Sequence, residues 1–174
     1  MSYNARKLHG LTLNHVSANV TLPSTNVYST TVTTTVSING KFGTTLAAQT
    51  TQALPATDAA TGASFVPMQA GSADLSYGRG LVVVVGVNAA GAIKFAQGSI
   101  VKTARGVTTT AGAFLDAPQF PVLPDDFAPL AYFLVRNSPS AAAFTLGTTN
   151  WAASGITTSA VVNISTLPDR PQIA

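Results

Sequence analysis

Side chains that usually carry chemistry are scarce in this sequence. The 174-residue chain has no cysteine, six acidic residues that are all aspartate, and two histidines. The missing cysteine excludes disulfides, thiolate metal sites and cysteine nucleophiles. Proton transfer and metal binding need carboxylates, imidazoles or thiols in groups, so the composition disfavours most enzyme classes. We therefore expect a protein that is not an enzyme and binds no cofactor or metal.

Charge is also scarce, at 9% of the residues. A globular domain usually has about a quarter. The nine lysines and arginines are scattered singly, apart from Arg6 and Lys7 near the amino terminus. Nucleic-acid binding needs basic residues clustered on one face. We expect no nucleic-acid partner.

Long apolar runs are absent as well. The most apolar stretch, Leu81 to Val87, falls far short of the roughly 18 residues that span a bilayer. The first residues lack the continuous apolar segment of a secretion signal. The sequence therefore predicts no membrane partner and no signal peptide.

The strongest positive signal is a two-residue period. From Tyr28 to Ile38 the odd positions are all serine or threonine, which is typical of a strand. Asn39-Gly40 suits a tight hairpin turn, and Lys41 begins the return strand. Leu81 to Val87 predicts a strand covered on both faces, and Leu130 to Arg136 predicts another apolar strand.

Four prolines lie in one short stretch, at positions 118, 121, 124 and 129. They exclude a helix or a central strand from Ala117 to Pro129, so this stretch should wrap the domain as extended chain. No long segment shows a helical stripe. We predict an all-β fold, an antiparallel β-sandwich of jelly-roll or Greek-key type.

The predicted organisation is an extended N-terminal arm over residues 1–25, a β-sandwich over 26–168 and a short C-terminal tail over 169–174. The apolar residues of the arm are too few for a core and too many for a solvated tail, so we expect them to contact a partner. These residues are Leu8, Leu11, Leu13, Val16, Val20 and Leu22. The alternative is an internal strand from Leu11 to Val20.

Few residues are candidates for a chemical site. His9 and His15 could join Asp125 and Asp126 as metal ligands, but no metal or nucleophile motif accompanies them. Asp125-Asp126 favours a turn. Gly78-Arg79-Gly80 lacks the ending of a phosphate loop and predicts a flexible turn.

Trp151, the only tryptophan, lies in a predicted loop from Gly147 to Gly155. Two interpretations stay open. The ring contacts a sugar or protein partner, together with Tyr77 and Tyr132 in the case of a sugar, or it caps one end of the sandwich core.

A resemblance enters in the carboxy-terminal third. A proline-rich lead runs into the strand that ends at Arg136, Phe144-Thr-Leu-Gly-Thr follows, and Leu167-Pro-Asp-Arg-Pro closes the order. This layout resembles accessory proteins of bacteriophage virions, of the capsid decoration, cement or head-fibre type. The resemblance covers residues 118–171 and implies a structural role without catalytic residues.

The expected function is therefore a decoration or cement protein that stabilises the capsid surface of a virion after synthesis in the host cytoplasm. The expected partners are the major capsid protein and further copies of the chain, as a dimer or trimer. A receptor- or carbohydrate-binding module of a fibre or tail is the alternative. A glycan hydrolase ranks third, because the chain lacks glutamate and two well-placed acids.

Overall fold

Twelve strands build the fold, and no helix occurs among the residues that the computed structural model describes, which are 13–14, 18–23, 25–71 and 77–172. All strand pairs are antiparallel. The predicted all-β, sandwich-like fold is thereby confirmed, while the jelly-roll or Greek-key connection stays a prediction. The strands are β1 (Leu13–Asn14), β2 (Val20–Thr21), β3 (Val27–Thr30), β4 (Thr34–Ile38), β5 (Lys41–Leu46), β6 (Gln49–Ala53), β7 (Tyr77–Asn88), β8 (Ile93–Gln97), β9 (Val101–Ala104), β10 (Phe127–Asn137), β11 (Ile156–Thr158) and β12 (Val162–Asn163).

The two longest strands, β7 and β10, pair along most of their length at the centre of a six-stranded sheet. On the far side of β7, β9 pairs with the first part of the strand and β8 with the later part. On the far side of β10, β12 pairs with the middle of the strand and β11 pairs with its end. Both central strands therefore have backbone partners on each side, and residues next to the paired segments supply others, such as the Ser159 hydroxyl that accepts from the Leu134 N–H.

Strands β1 to β6 form two three-stranded sheets, in the orders β1-β4-β5 and β2-β3-β6. We call the two together the ribbon, and its buried side chains pack on one face of the central sheet. Asn39 and Gly40 form its hairpin turn, with φ angles of 52° and 74°. Both angles are positive, as a two-residue turn between twisted strands requires, so the predicted hairpin is confirmed. The predicted strand from Tyr28 to Ile38 is interrupted at residues 31–33, where the ribbon bends.

The central sheet is buried on both faces because its strands are apolar at consecutive positions. Alternate residues of β7 face opposite sides, so Val83 and Val85 face the ribbon whereas Val82 and Val84 face away from it. Fully burying one such side chain contributes about 1.5–3 kcal/mol. The largest fully buried side chains are Tyr132, Phe95, Phe127, Phe133, Phe144, Met68, Leu81 and Leu130.

The outer face of the sheet is covered by residues 111–126, which we call the wrap. It contains three of the four prolines and no strand, as predicted. Phe120 of the wrap packs edge to face on Tyr132, with ring centroids 5.1 Å apart. In the predicted tail, the Gln172 N–H donates to the Tyr132 hydroxyl over 3.1 Å, which adds the chain end to this layer.

The fourth proline does not follow the prediction, because Pro129 lies inside β10, a central strand. Its partner in β7 is Gly86, and the register shifts between Pro129 and Ala131. Proline has no N–H to donate, and a register irregularity is the place where a ladder tolerates this loss.

Gly78 and Gly80 do not form the predicted turn either, since both lie within β7. A Cβ atom on Gly78 would come within 2.6 Å of the Thr103 hydroxyl oxygen, and one on Gly80 within 2.7 Å of the Phe114 ring. These glycines therefore permit close packing on one face of β7, where any larger residue would collide with its neighbours.

Ionisation of Tyr28 makes the stability of the fold depend on pH under alkaline conditions. The ring is buried beside Phe95, and the hydroxyl donates to Gln49 Oε1 over 2.8 Å. Burial raises the pKa of Tyr28 above its ordinary value of 10.0, because the charged phenolate is poorly solvated there. The raised pKa means that this stability is fully present below pH 10 and is lost as the pH rises through the pKa of the folded state.

We therefore expect the urea midpoint of the protein to fall above about pH 10, and to fall less steeply in Tyr28→Phe, which cannot ionise. Equilibrium unfolding at a series of pH values from 8 to about 11 checks this. If the urea midpoint falls equally steeply with pH in the two proteins, Tyr28 does not contribute to the loss of stability at alkaline pH.

Candidate functional site

The predicted arm contacts its own chain. Leu13 pairs with Ser37 of β4, and Val20 pairs with Thr30 of β3. The Val20 side chain is 1% exposed, and Leu22 packs against the same core. In place of the predicted partner contact, Val20 therefore fills the chain's own interior. The described part of the arm thus pairs within the chain, as the alternative predicted, but through two short strands, β1 and β2, and residues 18 and 19 belong to neither.

The other predicted arm residues, Leu8, Leu11 and Val16, lie outside the described residues, as do His9 and His15. For Leu13 only the backbone pairing is described. The contacts predicted for these side chains therefore stay predictions.

Trp151 caps the sandwich core, which was the second of its two interpretations. It is 4% exposed, its Nε1–H donates to the Val27 carbonyl over 3.0 Å, and Phe133 packs edge to face at 5.3 Å. Tyr132 is also buried. Of the three aromatics considered for sugar stacking, only Tyr77 is partly exposed.

Tyr77 lies in a groove that three segments of the chain build. Tyr77 and Arg79 alternate with glycines in β7 and share one face, and Lys102 of β9 pairs directly with Arg79. The Lys102 Nζ lies 4.9 Å from the Tyr77 ring centroid, and the Arg79 Cζ lies 5.9 Å from it. Two cations thus lie close to one aromatic ring, at distances typical of cation–π contacts.

The start of the wrap forms the opposite wall. The N–H groups of Leu115 and Asp116 donate to the Lys102 carbonyl over 3.0 and 3.3 Å, which fixes this segment along β9. Asp116 and Gln119 consequently line the same groove, whose volume is about 500 Å³. No ion pair joins Arg79 or Lys102 to an acidic group within the described parts of the chain.

Asp58 is a buried carboxylate that sequence analysis did not identify. Its Oδ1 accepts the N–H groups of Ala60 and Gln97 at 3.0 and 3.1 Å, and its Oδ2 accepts the Thr61 hydroxyl at 3.1 Å. These contacts join the 58–62 turn to β8. The role of Asp58 is therefore to hold a loop in place.

Asp125 and Asp126 form the predicted turn, in which the Phe127 N–H donates to the Pro124 carbonyl over 3.2 Å. Both aspartates are exposed. Among the described residues, no three side chains of the kinds that ligate metals come together.

Several large aliphatic side chains point into solvent. Leu115 and Val122, both on the wrap, are 63% and 70% exposed. Val66 and Val107 are exposed to a similar degree on separate loops. Single exposed aliphatics are common on protein surfaces, but Leu115 and Val122 lie on one short, anchored segment.

Comparisons with known proteins provide no relative for this chain. No protein-family model matches it, and neither a curated protein nor a solved structure does. The described segments include no helix long and apolar enough to cross a membrane. Functional inference therefore rests on the groove, the wrap and the sequence itself.

Proposed function

We propose that this chain is a structural component of a bacteriophage particle, which binds the capsid surface as a decoration or cement protein. The observation that carries the proposal is the wrap, a fixed extended segment that exposes Leu115 and Val122. Removing such side chains from water on contact with a shell would contribute about 25 cal/mol per Å².

The wrap suits attachment because it is already ordered. Leu123 is buried against the central sheet, Phe120 packs on Tyr132, and the Leu115 N–H is bound to β9. A segment held in its bound conformation loses little entropy on binding. Leu115 and Val122 would therefore meet a partner as parts of a rigid surface.

The sequence resemblance supports the same proposal. The proline-rich lead that resembles phage virion proteins begins at Pro118 and includes Val122, so it overlaps the wrap. The proposed partners are the major capsid protein and further copies of the chain, as a dimer or trimer. Many weak contacts repeated over a particle would add to a stable attachment.

The proposal differs from the sequence-based expectation in where attachment occurs. The described part of the predicted arm is occupied within the fold, since β1 and β2 pair with β4 and β3. We therefore assign attachment to the capsid to the wrap and not to the arm.

We expect the double variant Leu115→Asp/Val122→Asp to bind capsid shells at least about tenfold more weakly than the parent chain, since a tenfold change corresponds to only about 1.4 kcal/mol. Co-sedimentation with shells of the phage that encodes the chain measures this binding. Val32→Asp is the matched control, because Val32 is exposed on the loop between β3 and β4.

Thermal melting must show that all three proteins are folded. Equal binding by the parent and the double variant would exclude the wrap as the attachment surface. Failure of the parent chain to bind the shells would contradict the proposed function itself.

A further inference from the structure

We infer that the groove formed by Tyr77, Arg79, Lys102, Asp116 and Gln119 binds an acidic carbohydrate, a sugar that carries a carboxylate. The inference goes beyond attachment to a particle and does not depend on it. It rests on the contacts within the groove.

The first argument is the pairing of two cations across neighbouring strands. Arg79 and Lys102 are directly opposite each other on neighbouring antiparallel strands. Like charges in this position destabilise a sheet. The chain has only nine lysines and arginines in all, so two in register within one groove are a notable concentration.

The second argument is that the cations lack a carboxylate partner within the described residues. The Arg79 Nη1–H reaches only the Ala70 carbonyl, at 3.5 Å, and Lys102 lies over the Tyr77 ring. Both side chains keep donors for a ligand. A carboxylate between them would gain charge-assisted hydrogen bonds and would relieve their mutual repulsion.

The remaining lining favours a sugar as the bearer of that carboxylate. Tyr77 is partly exposed, so its side chain can contact the C–H groups of a pyranose. Gln119 supplies an amide that donates and accepts, and Asp116 supplies an acceptor for hydroxyl groups. A groove of about 500 Å³ is of the size that takes a small ligand.

The carboxylate of Asp116 makes a nucleic acid a less suitable ligand for the groove than a sugar acid. A polyanion brings a phosphate at every residue and would place one near this carboxylate, where the two charges repel. A sugar with a single carboxylate can meet the cations at one side and donate its hydroxyls to Asp116 at the other. A groove lined by two cations, Arg79 and Lys102, and by one anion, Asp116, therefore matches a sugar acid better than a phosphate backbone.

The test is binding of the full-length protein to a panel of oligosaccharides that contain uronate or sialate, with neutral counterparts of equal length and single-stranded DNA beside them. Isothermal titration then measures affinity for the strongest acidic sugar. We expect acidic sugars to bind and their neutral counterparts to bind at least tenfold more weakly.

Arg79→Gln/Lys102→Gln should lose at least tenfold in affinity, and Tyr77→Ala should weaken binding to acidic and neutral sugars alike. Lys41→Gln is the matched control, because it removes an exposed cation from the ribbon without touching the groove. A melting temperature within a few degrees of the parent's will show that each variant is folded.

Absence of binding to every acidic sugar would overturn the inference. Equal affinity for neutral sugars, or an undiminished affinity in the double glutamine variant, would overturn it as well. Tighter binding to single-stranded DNA than to any sugar would reassign the groove to nucleic acid. None of these results bears on the attachment of the wrap to a capsid.

Discussion

Replacing Trp151 with alanine will lower the free energy of unfolding by about 3–5 kcal/mol, the usual cost of removing a large aromatic from a core. The ring packs between Phe133 and Phe144, and its Nε1–H satisfies the Val27 carbonyl. The substitution would leave a cavity and remove this hydrogen bond, and both changes are destabilising. Urea unfolding followed by circular dichroism measures the change.

Tyr77→Ala is the matched control for Trp151→Ala, because it also removes an aromatic ring, but one that is partly exposed. We expect the control to lose about 1 kcal/mol or less, in line with a surface position. Equal stability of Trp151→Ala and the parent chain would contradict the placement of Trp151 in the core.

Deleting residues 1–25 should unfold the domain, although the sequence alone favoured an arm that contacts a partner. Ala18 and Val20 are buried between the ribbon and the central sheet, and the Val20 N–H donates to Asn163 Oδ1 over 2.7 Å. The deletion would therefore expose part of the core and remove both β1 and β2 from the ribbon. Loss of the β signal in circular dichroism would show the unfolding.

A single substitution can make the same test without shortening the chain. Val20→Asp places an unpaired charge in the core, which costs several kcal/mol, whereas Thr21→Asp changes an exposed neighbour in the same strand. We expect the first variant to be unfolded or severely destabilised and the second to melt close to the parent. A truncated chain that melts normally but binds no shells would restore the arm interpretation.

The elements predicted well are those whose cause is local. Asn39-Gly40 fixes a turn through its own φ preferences, and the run from Leu81 to Val87 is apolar because both of its faces are covered. The prolines of the wrap exclude regular structure without reference to any neighbour. For these elements, a short window of sequence contains the physical reason for the structure.

The elements predicted poorly depend on distant parts of the chain. Gly78 and Gly80 were interpreted as a turn, but Phe114 and Thr103 pack against them from other segments. Pro129 is tolerated in a central strand through an irregularity in its pairing with β7. The order of residues along the chain does not contain these contacts.

The groove could not have been found from sequence, because Arg79 and Lys102 are brought together by strand register. Neither residue belongs to a motif, and the two are far apart along the chain. A search for basic clusters in sequence fails for such a site, since the cluster exists only across two strands.

We propose that this chain belongs to a phage particle, and quantitative mass spectrometry of purified particles can decide this. The particles are those of the phage or prophage whose genome encodes the chain, and the quantity is its copy number relative to the major capsid protein. A decoration or cement protein should be present at a ratio near one copy for every one or few copies of capsid protein. Absence of the chain from purified particles would contradict the claim, and a few copies per particle would contradict the decoration role.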